Sequence, residues 1–255
     1  MPAPCRRALA ASAALAAALG TPLPALAAAG PGLVRAPMVA TSPHLTGPHG
    51  PVAQGTSTNW SGYAATGAKF TSVSASWVQP AGQCGSTDTW SSFWVGLDGD
   101  GSDSVEQTGS EVDCSGGSPQ YYSWYEMYPA YPVSYNDPVA AGDHFTASVT
   151  ESGSGSFTLK LSDTTQGWSH TIHKTLHNPA LASAEIIAEA PSTASGPLPL
   201  TDFGQVQFSD ASANGKPIGS FDPENITMAE HDGTTLATTS ALTTQNAFSV
   251  AWQHS

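Results

Sequence analysis

The chain has 255 residues, 40% hydrophobic and only 11% charged, with three cysteines and a formal net charge of −13. All twenty acidic residues follow Gln54, where only Lys69, Lys160, Lys174 and Lys216 oppose them, leaving about sixteen net negative charges in that region. Such a surface repels nucleic acid and anionic membranes and excludes both as partners.

The first element is a targeting segment. Arg6 and Arg7 precede an apolar stretch from Ala8 to Leu19, and the small-residue run Ala25-Leu26-Ala27-Ala28-Ala29 follows. A basic start, a short apolar core and an Ala-x-Ala site predict a secretory signal peptide over residues 1–29 and a secreted product. The apolar stretch is too short to span a bilayer, and no later segment is long and apolar enough. Residues 30–55 are rich in Pro, Gly and Ala, with Arg35, His44 and His49 as their basic residues, and read as a pro-segment or linker.

Cys5 leaves with the signal, so Cys84 and Cys114 form an even pair in a compartment where disulfides persist. A bond between them closes a loop of about thirty residues and contributes roughly 3–4 kcal/mol in the loop-entropy model. Few basic groups also suit an acidic medium. Carboxylates lose their charge at low pH, and a chain poor in Lys and Arg avoids strong positive self-repulsion there.

From residue 56 onward alternation dominates. Val73, Ala75 and Trp77 alternate with Ser72, Ser74 and Ser76; Phe145, Ala147 and Val149 alternate with Thr146, Ser148 and Thr150; Phe157, Leu159 and Leu161 repeat the rule. Period two, cut by Gly, Asn, Asp and Pro turns, predicts strands, and roughly 200 residues of short strands predict one all-β domain over 56–255, a two-sheet antiparallel β-sandwich.

Four segments stand out for chemistry: Phe93-Trp94-Val95-Gly96-Leu97-Asp98-Gly99-Asp100, Val105-Glu106-Gln107-Thr108-Gly109, Tyr122-Ser123-Trp124-Tyr125-Glu126-Met127-Tyr128-Pro129, and Ala184-Glu185-Ile186-Ile187-Ala188-Glu189-Ala190-Pro191. On a strand, Tyr122, Trp124, Glu126 and Tyr128 share a face, an aromatic platform holding one carboxylate. In the fourth segment Ala184, Ile186 and Ala188 form an apolar side, and Glu185, Ile187 and Glu189 the other. Two glutamates on one face of a core strand are costly unless that face lines a wet cleft.

In this order the four segments resemble the signature of the glutamic peptidases, the eqolisins, and Asn59-Trp60-Ser61-Gly62-Tyr63 resembles the start of that family's mature domain. The resemblance covers about Ser57 to Trp252. It implies a lectin-like (concanavalin A-like) sandwich with the active site on its concave face, and a pepstatin-insensitive acid endopeptidase that needs no cofactor or metal. Gln107 and Glu189 match the catalytic pair; Trp94, Asp98, Trp124 and Glu126 fall where the family lines or supports its cleft. Glu185 matches a glutamate outside that pair. The implied mechanism has Glu189 take a proton from water and return it to the leaving amine, while the Gln107 amide donates to the oxyanion. Leu97 and Ile186 depart from the usual residues without touching the chemistry. The pro-segment is shorter and less basic than in the fungal relatives, and the alanine-rich, disulfide-poor character looks more like the bacterial branch of the family than the fungal one.

Other readings are weaker. His170 and His173 point to opposite strand faces and, with His177, suit no single metal site. No Gly-x-Ser-x-Gly elbow is present. Asp98-Gly99-Asp100-Gly101 lacks the remaining spacing of a calcium loop and reads as a turn beside the cleft. Asn59-Trp60-Ser61 and Asn225-Ile226-Thr227 are sequons. A carbohydrate-binding sandwich, or a glycosidase using Glu126 and Glu189, is the alternative; either makes Gln107 dispensable. The expected partners are protein or peptide substrates, and nothing points to an oligomer, so a monomer is expected.

Overall fold

The computed structural model describes Met1 and residues 54–193 and 195–255. The expected signal peptide lies outside the described residues but for Met1, and the expected 30–55 segment lies outside them up to Ala53.

The strands, in chain order, are β1 (Gln54–Ser57), β2 (Trp60–Ala65), β3 (Ser72–Val78), β4 (Thr89–Leu97), β5 (Val105–Ser115), β6 (Ser118–Tyr128), β7 (Val133–Ser134), β8 (His144–Glu151) and β9 (Ser156–Asp163). Next come β10 (Trp168–Thr175), β11 (Ala184–Glu189), β12 (Ser192–Thr193), β13 (Gly196–Pro197), β14 (Gln205–Ala213), β15 (Lys216–Pro217), β16 (Glu224–Ala229), β17 (Thr235–Thr239) and β18 (Phe248–Trp252). A 3₁₀ turn at Ile218–Phe221 is the one helical element among the described residues.

The fold is an all-β sandwich. One hydrogen-bonded path runs β10-β9-β8-β3-β14-β18-β17-β16-β2-β11-β4-β5-β6-β7, so the two layers are continuous through β18, β17 and β16. All ladders on that path are antiparallel; the exception in the large sheet is β1, which adds parallel to β16 with Gln54 opposite Asn225. Gln54 and Gly55 therefore belong to the sheet.

The alternation read from sequence is the alternation of burial. In β8 Phe145, Ala147 and Val149 point inward, and in β9 Phe157, Leu159 and Leu161 do the same. They meet Phe93, Val95 and Leu97 of β4, Val112 of β5 and Ile186 of β11 in one large core. Each such side chain contributes about 1.5–3 kcal/mol by leaving water. At the two ends of the path, Tyr135 stacks on His170 with centroids 4.0 Å apart, and Lys174 lies 5.3 Å above the Tyr125 ring. His170 Nε2 also sits 2.6 Å from Asp137 Oδ2. The Cys84–Cys114 disulfide, with thirty residues of separation, ties the segment before β4 to the end of β5.

Both sequons are buried. Asn225 Nδ2 donates to Tyr63 Oη at 2.8 Å, and Asn59 is fully enclosed. Neither asparagine presents its amide to a glycosylating enzyme in the folded chain.

Candidate active site

Strands β4, β5 and β11 are buried along nearly their whole length, unlike the alternating β8 and β9. One face of each packs into the core. The other face carries the residues singled out from sequence, gathered around a second cluster of Trp60, Ala64, Trp94, Val105, Trp124, Ile187 and Ile226. The expected division of β11 holds: Ala184, Ile186 and Ala188 join the large core, while Ile187 joins the second cluster.

The ladder registers lay this second face out in rungs. Glu189 of β11 stands opposite Ser92 of β4, which stands opposite Glu111 of β5 and then Tyr122 of β6. One rung on come Ile187, Trp94, Gly109 and Trp124, and then Glu185, Gly96, Gln107 and Glu126. Two glycines make room for the central tryptophan. A Cβ on Gly109 would fall 2.6 Å from Trp94 Cβ and collide with the Phe93 carbonyl oxygen. A Cβ on Gly96 would come within 2.8 Å of the Trp94 ring. Trp60 meets that ring edge to face, centroids 5.1 Å apart.

Held in this way, the Trp94 indole Nε1 donates to Glu189 Oε2 at 2.7 Å. Asn59 Nδ2 donates to the other oxygen, Oε1, at 3.2 Å. The Asn59 amide is itself oriented, because its Oδ1 accepts from Ser57 Oγ at 3.1 Å, which leaves the nitrogen end toward Glu189. Both oxygens of Glu189 thus have donors. Burial nonetheless holds the Glu189 carboxyl well above the ordinary carboxylate range; Trp94 and Asn59 pull it down, and the charge of Glu126 pushes it up.

Gln107 Nε2 donates to Glu126 Oε2 at 2.6 Å. That bond fixes which end of the Gln107 amide carries hydrogen. Four of the six residues expected at the site, Gln107, Glu189, Trp94 and Glu126, therefore form two hydrogen-bonded pairs on one face, and Trp124 packs in the cluster between them. Asp98 does something else. Its backbone is left-handed, with φ of 67°, and its carboxylate accepts from the Leu181 and Ala182 amides at 2.9 and 2.7 Å. It braces the segment that leads into β11 and so sets where Glu189 lies.

Several residues on this face escaped the sequence reading. Asn59 was legible only as part of a motif, and Glu111, Asp113 and Ser92 not at all. The signal for the acids was available: Val105, Gln107, Gly109, Glu111 and Asp113 share one face of β5 by period two. Tyr122 Oη donates to Asp113 Oδ2 at 2.7 Å, so one tyrosine of the expected platform serves a carboxylate instead. The histidines stand apart, His170 with Asp137 and His173 Nδ1 3.1 Å from Thr158 Oγ1. Among the described residues no group of three or more His, Cys, Asp or Glu side chains is placed to hold a metal ion.

Comparison with known proteins places the chain in a family. The chain is 30% identical over 210 residues to aspergillopepsin-2 of Aspergillus niger, covering 72% of this chain and 74% of that protein. It is 28% identical over 172 residues to scytalidopepsin B of Scytalidium lignicola, covering 65% of this chain and 59% of that protein. The crystal structure of scytalido-glutamic peptidase with a transition state analog inhibitor superposes with a TM-score of 0.64 at 25% identity, covering 77% of this chain and 98% of that one. The sequence pattern of the Peptidase A4 family matches residues 58–252, and the chain belongs to that family, the glutamic peptidases or eqolisins.

Proposed function

We propose that this glutamic peptidase is a secreted acid endopeptidase, insensitive to pepstatin, in which Glu189 activates water and Gln107 stabilises the oxyanion. The observation that carries the reading is the pair of donors on Glu189. Trp94 and Asn59 occupy one direction on each oxygen and favour the carboxylate form against its burial. A base held in this way is ready to take a proton from a water lying between it and the scissile carbonyl.

As water attacks, its proton passes to Glu189 and negative charge gathers on the carbonyl oxygen. The Gln107 amide, oriented by Glu126, donates a hydrogen bond to that oxygen. Donors of this kind contribute about 3–4 kcal/mol where they have been removed from other enzymes. Glu189 then returns the proton to the leaving nitrogen, and the C–N bond breaks. The carboxylate is regenerated, and no covalent intermediate forms.

The test is digestion of a denatured protein from about pH 2 to pH 7, with and without pepstatin, by the secreted chain beside Glu189→Gln and Gln107→Ala. Acid-limited, pepstatin-resistant cleavage that disappears in both variants, with circular dichroism unchanged, is the expected result. Cleavage that survives Glu189→Gln refutes the assignment of the base. A folded chain that cleaves nothing at any pH but binds glycans saturably refutes the peptidase reading in favour of a carbohydrate-binding sandwich.

A further inference from the structure

The proposed chemistry needs Glu189 ionised, yet the enzyme is read as working only in acid. Something else on this face must therefore keep a proton, and the register identifies a candidate. Glu111 is fully buried, on the same rung as Glu189, and the residue between them is Ser92. Neighbouring members of such a rung stand about 5 Å apart. Ser92 is small, and its buried hydroxyl has no hydrogen-bond partner among the described residues. On this rung only Ser92 stands between the two residues.

The groups facing Glu111 among the described residues are Asp113 on its own strand, Glu126 and Tyr122 on β6, and Glu189 on β11. Glu111 and Asp113 hydrogen-bond to one another. Two carboxyls can do so only with a proton between them. Tyr122 Oη donates to Asp113, which ties that pair to β6.

We propose that Glu111 is a positioning residue for the reaction: protonated and hydrogen-bonded to Asp113, it leaves the negative charge of this face to Glu189, and its ionisation ends activity as pH rises. The order of ionisation follows from who feels whom. After burial and the neighbouring Asp113, the charges of Glu189 and Glu126 both push the Glu111 carboxyl up. Glu189 has the neutral donors Trp94 and Asn59, which favour its charged form, whereas Glu111 faces the carboxyl of Asp113, with which it shares a proton. Glu189 therefore gives up its proton before Glu111, and a window of pH exists in which one is a base and the other an acid. Above that window a second buried charge on the rung pulls the proton back toward Glu189 and empties the site of its productive state.

The inference rests on Glu189 being the base, and the experiment separates the two. Initial rates of peptide cleavage are measured from pH 2 to pH 8 for the full chain and for Glu111→Gln, Glu106→Gln and Glu189→Gln, each profile normalised to its own maximum. Tryptophan fluorescence reports the folded fraction at every pH. Glu111→Gln has no ionisable group at this position, so its alkaline limb should move up by about one pH unit or more. The ratio of relative rates is then about twofold at the original midpoint and approaches roughly tenfold about two units above it. Glu106 lies on the same strand but faces away from Glu189. Its replacement removes a buried acid without touching the rung, so its limb should stay with the parent's.

A limb that stays put in Glu111→Gln overturns the inference. Equal shifts in Glu111→Gln and Glu106→Gln overturn it too, because the limb then reports unfolding. If Glu189→Gln remains active, the underlying assignment of the base fails, whatever the other profiles show. Should Glu111→Gln not fold, Asp113→Asn removes the proton-sharing partner and must move the same limb for the inference to stand.

Discussion

Glu106 offers the sharpest quantitative test of how this sandwich depends on acid. Its side chain is fully buried on the core side of β5, and burial raises its pKa from 4.5 to about 8, with the charge of Asp98 adding to the shift and a hydrogen bond from Ser104 opposing it. The folded chain therefore holds a proton that the unfolded chain releases above about pH 4.5. Between those two pKa values the folded state binds more protons, so stability falls as pH rises, by about 1.4 kcal/mol per unit for one such group. The contribution is complete below about pH 4.5 and lost by about pH 8, a difference of order 5 kcal/mol at the upper limit. That is comparable with the whole stability of many domains. The measurement is urea unfolding at half-unit steps from pH 4 to pH 8, on the Glu189→Gln chain to prevent self-digestion, with and without Glu106→Gln. The two free energies should differ little in their pH trend below pH 4.5 and then diverge by about 1.4 kcal/mol per unit, the Glu106→Gln chain being the less sensitive. A constant difference across the range would falsify the claim that Glu106 is protonated in the fold.

Three further outcomes are expected. Trp94→Phe keeps the ring but removes the donor to Glu189 Oε2, a bond worth about 1.5–3 kcal/mol to a charged acceptor; kcat/KM should fall about tenfold to a hundredfold, and the acid limb should move to higher pH. An acid limb unchanged in Trp94→Phe rules out that bond as a determinant of Glu189 ionisation. Gly109→Ala drives a methyl into the Phe93 carbonyl and the Trp94 side chain, and should lower the melting temperature by an amount corresponding to at least about 1–3 kcal/mol while reducing activity. Retention of both would mean that β4 and β5 are not packed as closely as this register requires. Replacing Cys84 and Cys114 together by serine should cost about 3–4 kcal/mol in urea unfolding, and a reductant should change the parent chain but not the double variant.

The strands were legible because burial in β3, β8 and β9 is one-sided and the sequence there alternates without interruption. The division of β11 into an apolar and an acidic face was legible for the same reason. What could not be read locally depends on partners far away in the chain. Asn59 and Glu189 are 130 residues apart, and their bond exists only because β2 and β11 are neighbours. Asp98 reads as one more acidic turn residue until its left-handed backbone and the two amides of Leu181 and Ala182 are seen. β5 misled differently. Burial on both faces removes the polar-apolar alternation, so Glu106 and Glu111, equally acidic in sequence, lie on opposite sides of the sheet with different consequences.

Catalysis and acid dependence of the fold share a physical cause. A buried carboxyl can be kept in a sheet by pairing it with a cation or by leaving its proton on. Glu106, Glu111, Glu185 and Glu189 are all pushed upward, first by burial, and the charged neighbours acting on them are other carboxyls rather than any of the four lysines. Protonation is therefore the way this sandwich accommodates these glutamates, whereas Asp98 is held by two backbone amides. Pairing each with lysine would hold the fold together at neutral pH, but a cation beside Glu189 would stabilise its charged form so strongly that it became a poor base. Neutral carboxyls leave Glu189 a raised pKa and hence useful basicity in acid. The same choice makes every unit of rising pH unfavourable to the fold, so the upper boundary of activity and the upper boundary of stability should lie close together, and Glu111→Gln beside Glu106→Gln is the pair of substitutions that pulls them apart.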